Sequence, residues 1–351
     1  MRSRTRKLIV LGVVVVIVAA VAVAIFLRRR GAPEPARLLP DGEAVIFVNL
    51  KTFRLLTGFG DKQAAAREPE YEQFVRETGF QFERDLDQAA FVQHRRTSTG
   101  AIRSGSARYS EIFIGRFDAQ RVSNYLRKLS RSTERYRDTE IFSIPVEDRT
   151  VRVAILGVDT VAGSNVEDGS VIHGMIDRYK HVALPFAGPE LLSDHYKDVP
   201  LASPVWGISK FEGDVKAELP GGFSVFVPTP SVLVVSARFT GNIHARAELF
   251  AKDEQDANKF ADQASTFLGI FRALEGNMQT SGSDPDVKAV FDSLKVDREK
   301  ERAIITASIP IAFFKKLLSE PPAELTMQPA PSPKTDQHTP EKVPAERKPQ
   351  H

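Results

Sequence analysis

Apolar residues near the amino terminus form an unbroken run of 20, Leu8–Leu27. A helix of this length spans about 30 Å, the thickness of the hydrocarbon core of a bilayer. Four basic residues precede the run and Arg28–Arg30 follow it. The pattern predicts a basic leader and one transmembrane anchor within 1–30. A cleaved signal peptide is the alternative, since Ala20–Ala22 fits an A-x-A site, but the run is long for a signal core and three arginines would follow the cut.

Beyond residue 40 the apolar positions follow strand and helix spacings in turn. Runs and alternations of β-formers predict strands at 44–50, 109–117, 140–146, 151–156, 160–162, 205–211, 223–227, 232–239, 244–250 and 303–309. Spacings of three and four predict helices at 69–78, continuing over 80–93, and at 254–274. Further helices are predicted after an Asp118 cap, after a Ser164–Glu167 capping box, after Asp284-Pro285 and after Pro310. Alternation around Arg152 is typical of antiparallel sheets with one solvated face.

The predicted fold class is therefore α+β: antiparallel sheets with packed helices in two similar halves, 41–200 and 201–319, preceded by one transmembrane helix. VEDRTVRVAI at 146–155 and VDREKERAII at 296–305 indicate a duplication, although two unrelated hairpins can match equally well. Gly31–Pro40 contains three prolines and is predicted to be a stiff spacer. The tail, 320–351, contains eight prolines and no aromatic residue, which predicts disorder.

Charge is concentrated near the anchor. Residues 1–37 hold eight Lys or Arg and one Glu, whereas the rest of the chain holds 40 basic and 44 acidic residues. The larger part is slightly acidic, so no nucleic-acid partner is expected. His94-Arg95-Arg96, with Arg103 and Arg108, is the one basic cluster there. A solvated loop or a contact with an anionic surface explains it.

Few residues in the chain point to catalysis. The absence of cysteine excludes disulfides, thiolate metal sites and cysteine nucleophiles, and no G-x-S-x-G, H-E-x-x-H, S-x-x-K or P-loop motif occurs. Histidines and carboxylates converge only at His181 and His195, near Asp194 and Asp198. A metal or acid–base site there needs a third ligand that the sequence does not supply. We expect no catalytic, cofactor-binding or metal-binding residue, and we expect Trp206 to be a core residue.

Four phrases carry a resemblance to a known group of proteins: LPDGEAVIFVNL at 39–50, GFQFERDLDQAAFV at 79–92, IGRFDAQRVSNYL at 114–126 and VAGSNVEDGSVIHGMID at 161–177. Together with the anchor they resemble bacterial single-pass, envelope-anchored proteins of a family of unknown function. The resemblance implies an α+β extracytoplasmic region. It carries over no catalytic residue.

These observations predict a membrane-tethered, extracytoplasmic, non-enzymatic binding or scaffold protein with a possible envelope protein partner. The alternatives are an envelope hydrolase with a site assembled from distant residues and a carrier of a hydrophobic ligand. Basic residues are nearly balanced on the two sides of Leu8–Leu27. Because long domains cross a membrane largely regardless of their charge, the short basic leader favours the cytoplasmic side. The expected location is the bacterial inner membrane, with the amino terminus inside.

Overall fold

The computed structural model describes residues 31–58, 68–94, 108–180, 188–213, 215–219, 223–277 and 285–319. Twelve of the described strands form one antiparallel sheet, and helices pack on both of its faces. The α+β class and the antiparallel pairing predicted from the sequence are therefore confirmed.

The strands have five to ten residues, and many of them are joined by tight turns. They are β1 (Ala44–Asn49), β2 (Leu86–Gln93), β3 (Tyr109–Gly115), β4 (Ser132–Tyr136), β5 (Thr139–Val146), β6 (Arg149–Ile155), β7 (Thr160–Ser164), β8 (Val205–Phe211), β9 (Val215–Leu219), β10 (Phe223–Val227), β11 (Ser231–Thr240), β12 (Asn242–Ala251), β13 (Lys295–Glu299) and β14 (Arg302–Ile309). The hairpin of β9 and β10 is not paired with the large sheet, but Val227 of β10 packs in one cluster with Leu249 and Ala303 of that sheet.

The sheet order joins the two parts of the chain at its centre. It runs β13-β14-β12-β11-β8-β1-β2-β3-β7-β6-β5-β4, so β1 pairs with β8. The predicted boundary at residue 200 falls just before β8, and the strands on either side of it share one continuous sheet.

Helices connect the strands and cover parts of both faces. They are α1 (Glu34–Leu38), α2 (Leu50–Thr57), α3 (Pro69–Thr78), α4 (Phe82–Asp85), α5 (Ala119–Leu129), α6 (Ser170–Lys180), α7 (Glu190–His195), α8 (Glu254–Asn277), α9 (Pro285–Ser293) and α10 (Ile311–Ser319), with a 3₁₀ turn at Tyr196–Asp198. None of the described helices is long and apolar enough to cross a membrane. The predicted span, Leu8–Leu27, and the tail lie outside the described residues.

One face of the sheet, which we call the first face, carries the main core. Its strand residues include Val45, Phe47 and Trp206, which are almost fully buried beneath α1, α6 and α7. The prediction for Trp206 is thus confirmed. Phe47 and Trp206 stack with their ring centroids 5.5 Å apart.

The segment predicted as a spacer, Gly31–Pro40, is part of this core. Ala36, Leu38 and Leu39 have at most 1 % of their surface exposed. The prediction of a spacer was wrong because the prolines act differently: Pro35 stands in the first turn of α1, where its missing N–H has no helical partner to lose. The apolar residues after it bury a helix instead of extending a linker.

The opposite face, which we call the second face, carries two helical layers, which meet at one end of the sheet where Phe53 of α2 contacts Phe314 of α10. Over β2, β3, β5 and β6 the layer includes α3, α4 and α5, with Phe80, Val122 and Phe142 buried in its clusters. Over β12, β13 and β14 the layer consists mainly of α8 and α9, with Leu249 and Ala303 of the sheet buried against Ala261 of α8.

Two local predictions about helix starts had different outcomes. The Asp118 carboxylate accepts hydrogen bonds from the backbone N–H groups of Gln120 and Arg121, as a cap of α5. The Ser164 capping box was wrong, because Ser164 ends β7 in a buried position and α6 begins at Ser170. The Asp168 carboxylate accepts the Ser170 N–H there, with an oxygen–nitrogen distance of 2.9 Å.

Candidate functional site

No helix among the described residues covers the centre of the second face, between its two helical layers. Ile46 of β1 and Val235 of β11 lie on either side of Gly207 of β8, in register. Ile46 is 48 % exposed and Val235 is 40 % exposed, although both belong to inner strands. We call Ile46, Gly207 and Val235 the open strip. Adjacent apolar residues in such a position are more informative than single exposed ones.

Gly207 allows the two exposed side chains to form one surface. A Cβ atom built on Gly207 would lie 3.1 Å from Cγ2 of Val235 and 3.6 Å from Cγ1 of Ile46. Both side chains therefore lean over the glycine, which is itself buried. The backbone groups of β1, β8 and β11 bond to strands on both sides, so the open strip presents apolar side chains and little polar backbone.

The same row continues across the neighbouring strands. Phe91 of β2 lies opposite Ile46, and Glu111 of β3 lies opposite Phe91. On the other side Ala247 of β12 lies opposite Val235. Since neighbouring strands are about 4.8 Å apart, Glu111 stands about 10 Å from Ile46 along the row.

Glu111 is the polar group of this row. Burial raises the pKa of its carboxyl above the ordinary value, which favours the protonated form. A Cβ atom on Gly163 would lie 2.8 Å from Oε1 of Glu111, so the missing side chain at Gly163 makes room for the carboxyl. Within the described ranges no cation pairs with Glu111.

A histidine and two serines form the described contact that most resembles catalytic machinery. Nε2 of His94 lies 2.8 Å from Oγ of Ser110, which in turn donates to Oγ of Ser164 at 2.9 Å. Burial and the charge of Arg108 lower the pKa of His94, against a hydrogen bond to the Asp41 backbone. Ser110 is fully buried, however. A nucleophile must reach its substrate, so this chain of hydrogen bonds serves the packing of the sheet.

His94 thus differs from the solvated loop residue that the basic cluster predicted. Its ring is held at the end of β2, whereas Arg108 forms an ion pair with Glu167 at 3.2 Å. Arg95, Arg96 and Arg103 lie outside the described residues.

The histidine and carboxylate cluster predicted near residue 195 is small. Nδ1 of His195 lies 3.3 Å from Oδ2 of Asp198, and no group of three potential metal ligands occurs in the part of the chain that the structure describes. Asp194 is exposed on α7, and His181 lies outside the described residues.

An ion-pair network around the buried carboxylate of Glu248 lies on the first face, near the edge of the sheet that ends in β13. Oε2 of Glu248 accepts from Nε and Nη2 of Arg246, at 3.1 and 2.8 Å, and Oε1 accepts from Nη1 of Arg302 at 2.9 Å. The Arg302 guanidinium also lies 5.9 Å from the centre of the Phe250 ring. Both carboxylate oxygens have partners, which is the condition for a stable buried charge.

The sequence predicted the strands β1, β8 and β11 but did not predict the open strip that they form. AVIFVNL at 44–50 predicts a buried strand, and Val45 and Phe47 are buried, whereas Ile46 is not. The sequence signal for the strip was the continuous apolar run in β11. A strand of an antiparallel sheet with one solvated face should alternate apolar and polar residues, so a continuous run places apolar side chains on both faces. Which face lies open depends on where distant helices pack, and no local pattern encodes that.

Comparison with known proteins gives a likeness in structure alone. No known protein family matches the chain, and no curated protein does. Solved structures of TP0453 are similar at low sequence identity. Crystal form III gives a TM-score of 0.43 at 11 % identity over 82 % of this chain and 98 % of TP0453. Form IV gives 0.39 at 11 % identity over 82 % and 96 %, and form I gives 0.38 at 10 % identity over 80 % and 95 %.

Proposed function

We propose that this protein is a membrane-tethered, non-enzymatic binding protein whose open strip takes an apolar chain, with a lipid acyl chain as the ligand class. The observation that supports this is the exposure of Ile46 and Val235 at the centre of a broad sheet. Contiguous exposed apolar side chains favour binding because covering them removes apolar surface from water.

The chemistry of the surface favours an acyl chain over a peptide. A peptide laid across the open strip would bring N–H and C=O groups onto side chains that offer no hydrogen bond, and unpaired polar groups are costly to bury. The edge strands β13 and β4, where a peptide strand could add to the sheet, lie far from the strip. An acyl chain has no polar group along its length.

The proposed tether is the apolar run Leu8–Leu27, which is long enough to cross a bilayer. We place the amino terminus in the cytoplasm and the sheet outside it, at the bacterial inner membrane. This arrangement keeps the open strip beside a source of acyl chains. A possible envelope protein partner remains compatible with the same tether.

The hydrolase alternative has weaker support. Its nearest geometry is the His94–Ser110 contact, and the buried position of Ser110 does not favour attack on a substrate.

We also propose that the chain consists of two similar halves. In the first half β1, β2 and β3 are followed by α5, and β7 returns to pair with β3. In the second half β8, β11 and β12 are followed by α8, and β14 returns to pair with β12. The hairpin turns occupy different positions in the two matching phrases: one falls at 147–148 in the phrase 146–155, and the other at 300–301 in the phrase 296–305. Shared connectivity supports a duplication better than those ten residues do.

Photo-crosslinking tests the proposed ligand class. A photoreactive phenylalanine analogue replaces Val235 in the full chain, reconstituted into vesicles of phosphatidylethanolamine and phosphatidylglycerol. Irradiation should give phospholipid adducts, identified by the mass added to the peptide that carries the probe. Introducing Ile46→Glu should lower the adduct yield, because a carboxylate within the strip disfavours contact with an acyl chain.

Val146 provides the matched control, since it is the same residue type with a similar exposure at the end of β5. The probe at Val146 should give fewer adducts than the probe at Val235. Equal yields at the two positions, or a yield at Val235 that Ile46→Glu leaves unchanged, would contradict the proposal.

A further inference from the structure

The chain enters the core at one end of the sheet. We call this the lower end, where β1 stops and β8 starts: the N–H of Asn49 donates to the carbonyl oxygen of Pro204 at 2.6 Å. The turn between β6 and β7 lies at the same end, since the N–H of Gly115, the last residue of β3, donates to the carbonyl oxygen of Asp159.

The start of α1 lies beside that turn. Burial raises the pKa of Tyr179, and the nearby charges of Asp159 and Glu34 raise it further. The hydroxyl of Tyr179 also packs against Gly157 in the turn. Glu34 is the first residue of α1. From there the chain runs to Asp41, just before the start of β1 at the opposite end of the sheet, where the Asp41 carboxylate accepts the N–H of Glu190. The polypeptide therefore enters at the lower end.

Little chain separates this point from the proposed anchor. Leu27 ends the apolar run, and Ala32 already packs against the core. Five residues span at most about 18 Å when fully extended. Because Gly31–Pro40 is core and not spacer, the lower end cannot move far from the bilayer surface.

Three separate segments at the lower end present large apolar side chains to solvent. Val158, at the tip of the turn between β6 and β7, is 83 % exposed, and Leu201, in the loop before β8, is 59 % exposed. Leu55 on α2 is 80 % exposed. The neighbouring Arg54 donates to the carbonyl oxygen of Leu86 at the start of β2, which places α2 at this end. Tight turns usually carry polar or small residues, so a valine at the tip of one is unusual.

Charge does not account for this surface. Lys51, Lys180 and Lys197 are exposed at the lower end, and so are Glu34 and Asp159. Opposite charges are interspersed there, so the exposed apolar side chains of Val158, Leu201 and Leu55 are what distinguishes their three segments.

We infer that the lower end lies on the membrane that holds the anchor, with Val158, Leu201 and Leu55 inserted at the lipid interface. This inference rests on the proposed tether. Short apolar side chains that enter the interface gain in proportion to the apolar area they bury. A tether of a few residues makes that contact effectively intramolecular, so weak insertion is enough to fix the orientation. The open strip then stands at a fixed height and direction above the bilayer.

The absence of cysteine makes a direct test simple. Single cysteines replace Val158, Leu201 or Leu55 in the full chain, each carries an environment-sensitive fluorophore, and the protein is reconstituted into phosphatidylethanolamine and phosphatidylglycerol vesicles. Lipids with a spin label near the headgroup act as the quencher. Control labels replace Val146 and Phe226, which are about half exposed, in β5 and β10. Thermal melts of all five variants verify that the fold is retained.

The expected result is quenching and a blue-shifted emission at the three lower-end positions and neither effect at the two controls. Flotation of the vesicles is measured first, because a chain that does not float with them contradicts the tether and this inference together. Flotation without quenching at the lower end, or with equal quenching at the control positions, would overturn the orientation and leave the tether standing.

Discussion

Glu111 gives the second face a pH dependence that can be measured. Its folded-state pKa is raised by burial, so the folded protein holds this proton more tightly than the unfolded chain does. Its contribution to stability is full below the unfolded carboxyl pKa and is lost as the pH rises towards the folded value. Glu111→Gln keeps the shape and removes the ionisation. We therefore expect the free energy of unfolding of this variant, relative to the parent, to increase from pH 4 to pH 7 in denaturant melts.

Glu301 is the control for this comparison. It is exposed in the turn between β13 and β14, so Glu301→Gln removes no buried carboxyl. It should leave the pH dependence of stability unchanged. A flat difference between Glu111→Gln and the parent would show that the carboxyl is not desolvated.

Single residues were predictable where local chemistry decides their place. Asp118 caps α5 because a carboxylate before a helix accepts free backbone N–H groups, and this pattern is visible in the sequence. Ile46 was not predictable, because its neighbour Val45 has the same residue class and lies on the other face. Only the packing of distant helices decides which of the two is exposed.

At the scale of elements, Leu39, which directly follows α1, tests whether the segment Gly31–Pro40 belongs to the core. Leu39 has no exposed surface, so Leu39→Ala removes buried methyl groups and leaves a cavity. We expect a loss of about 2–5 kcal/mol in the free energy of unfolding, measured by denaturant melts of the detergent-solubilised chain. Leu55→Ala, at a largely exposed site, should change it by no more than about 0.5 kcal/mol. Equally small losses of stability in the two variants would contradict the burial of this segment and support a spacer at Gly31–Pro40.

Elements with strong start signals and clear periods were predicted well. α8 begins at Glu254, as its stripe of Ala257, Ala261, Ala264 and Leu268 indicates, and those four are buried. The helix predicted over 80–93 was wrong for Leu86–Gln93, which forms β2. LDQAAFVQ contains helix formers, but its pairing with β1 and β3 overrides that local preference. β4 and β13 were missed because they are short, polar edge strands, which lack an apolar pattern.

At the scale of the molecule, the sheet explains why function was harder to predict than fold. Strand patterns predict an antiparallel sheet, whereas the pairing of β1 with β8 joins residues 46 and 207 across more than 150 positions. The open strip exists only through that pairing. The proposed anchor, by contrast, is encoded in one continuous run. Because few residues connect it to α1, it also limits the distance between the sheet and the membrane.

The most direct test of the account is the side of the membrane on which the sheet lies. Two reporter enzymes, one active only outside the cytoplasm and the other only inside it, are fused in turn after Glu320 of the full chain. Because the basic leader favours the cytoplasmic side, the external reporter should be active and the internal one silent. Activity of the internal reporter with a silent external one would contradict a tethered, extracytoplasmic binding protein.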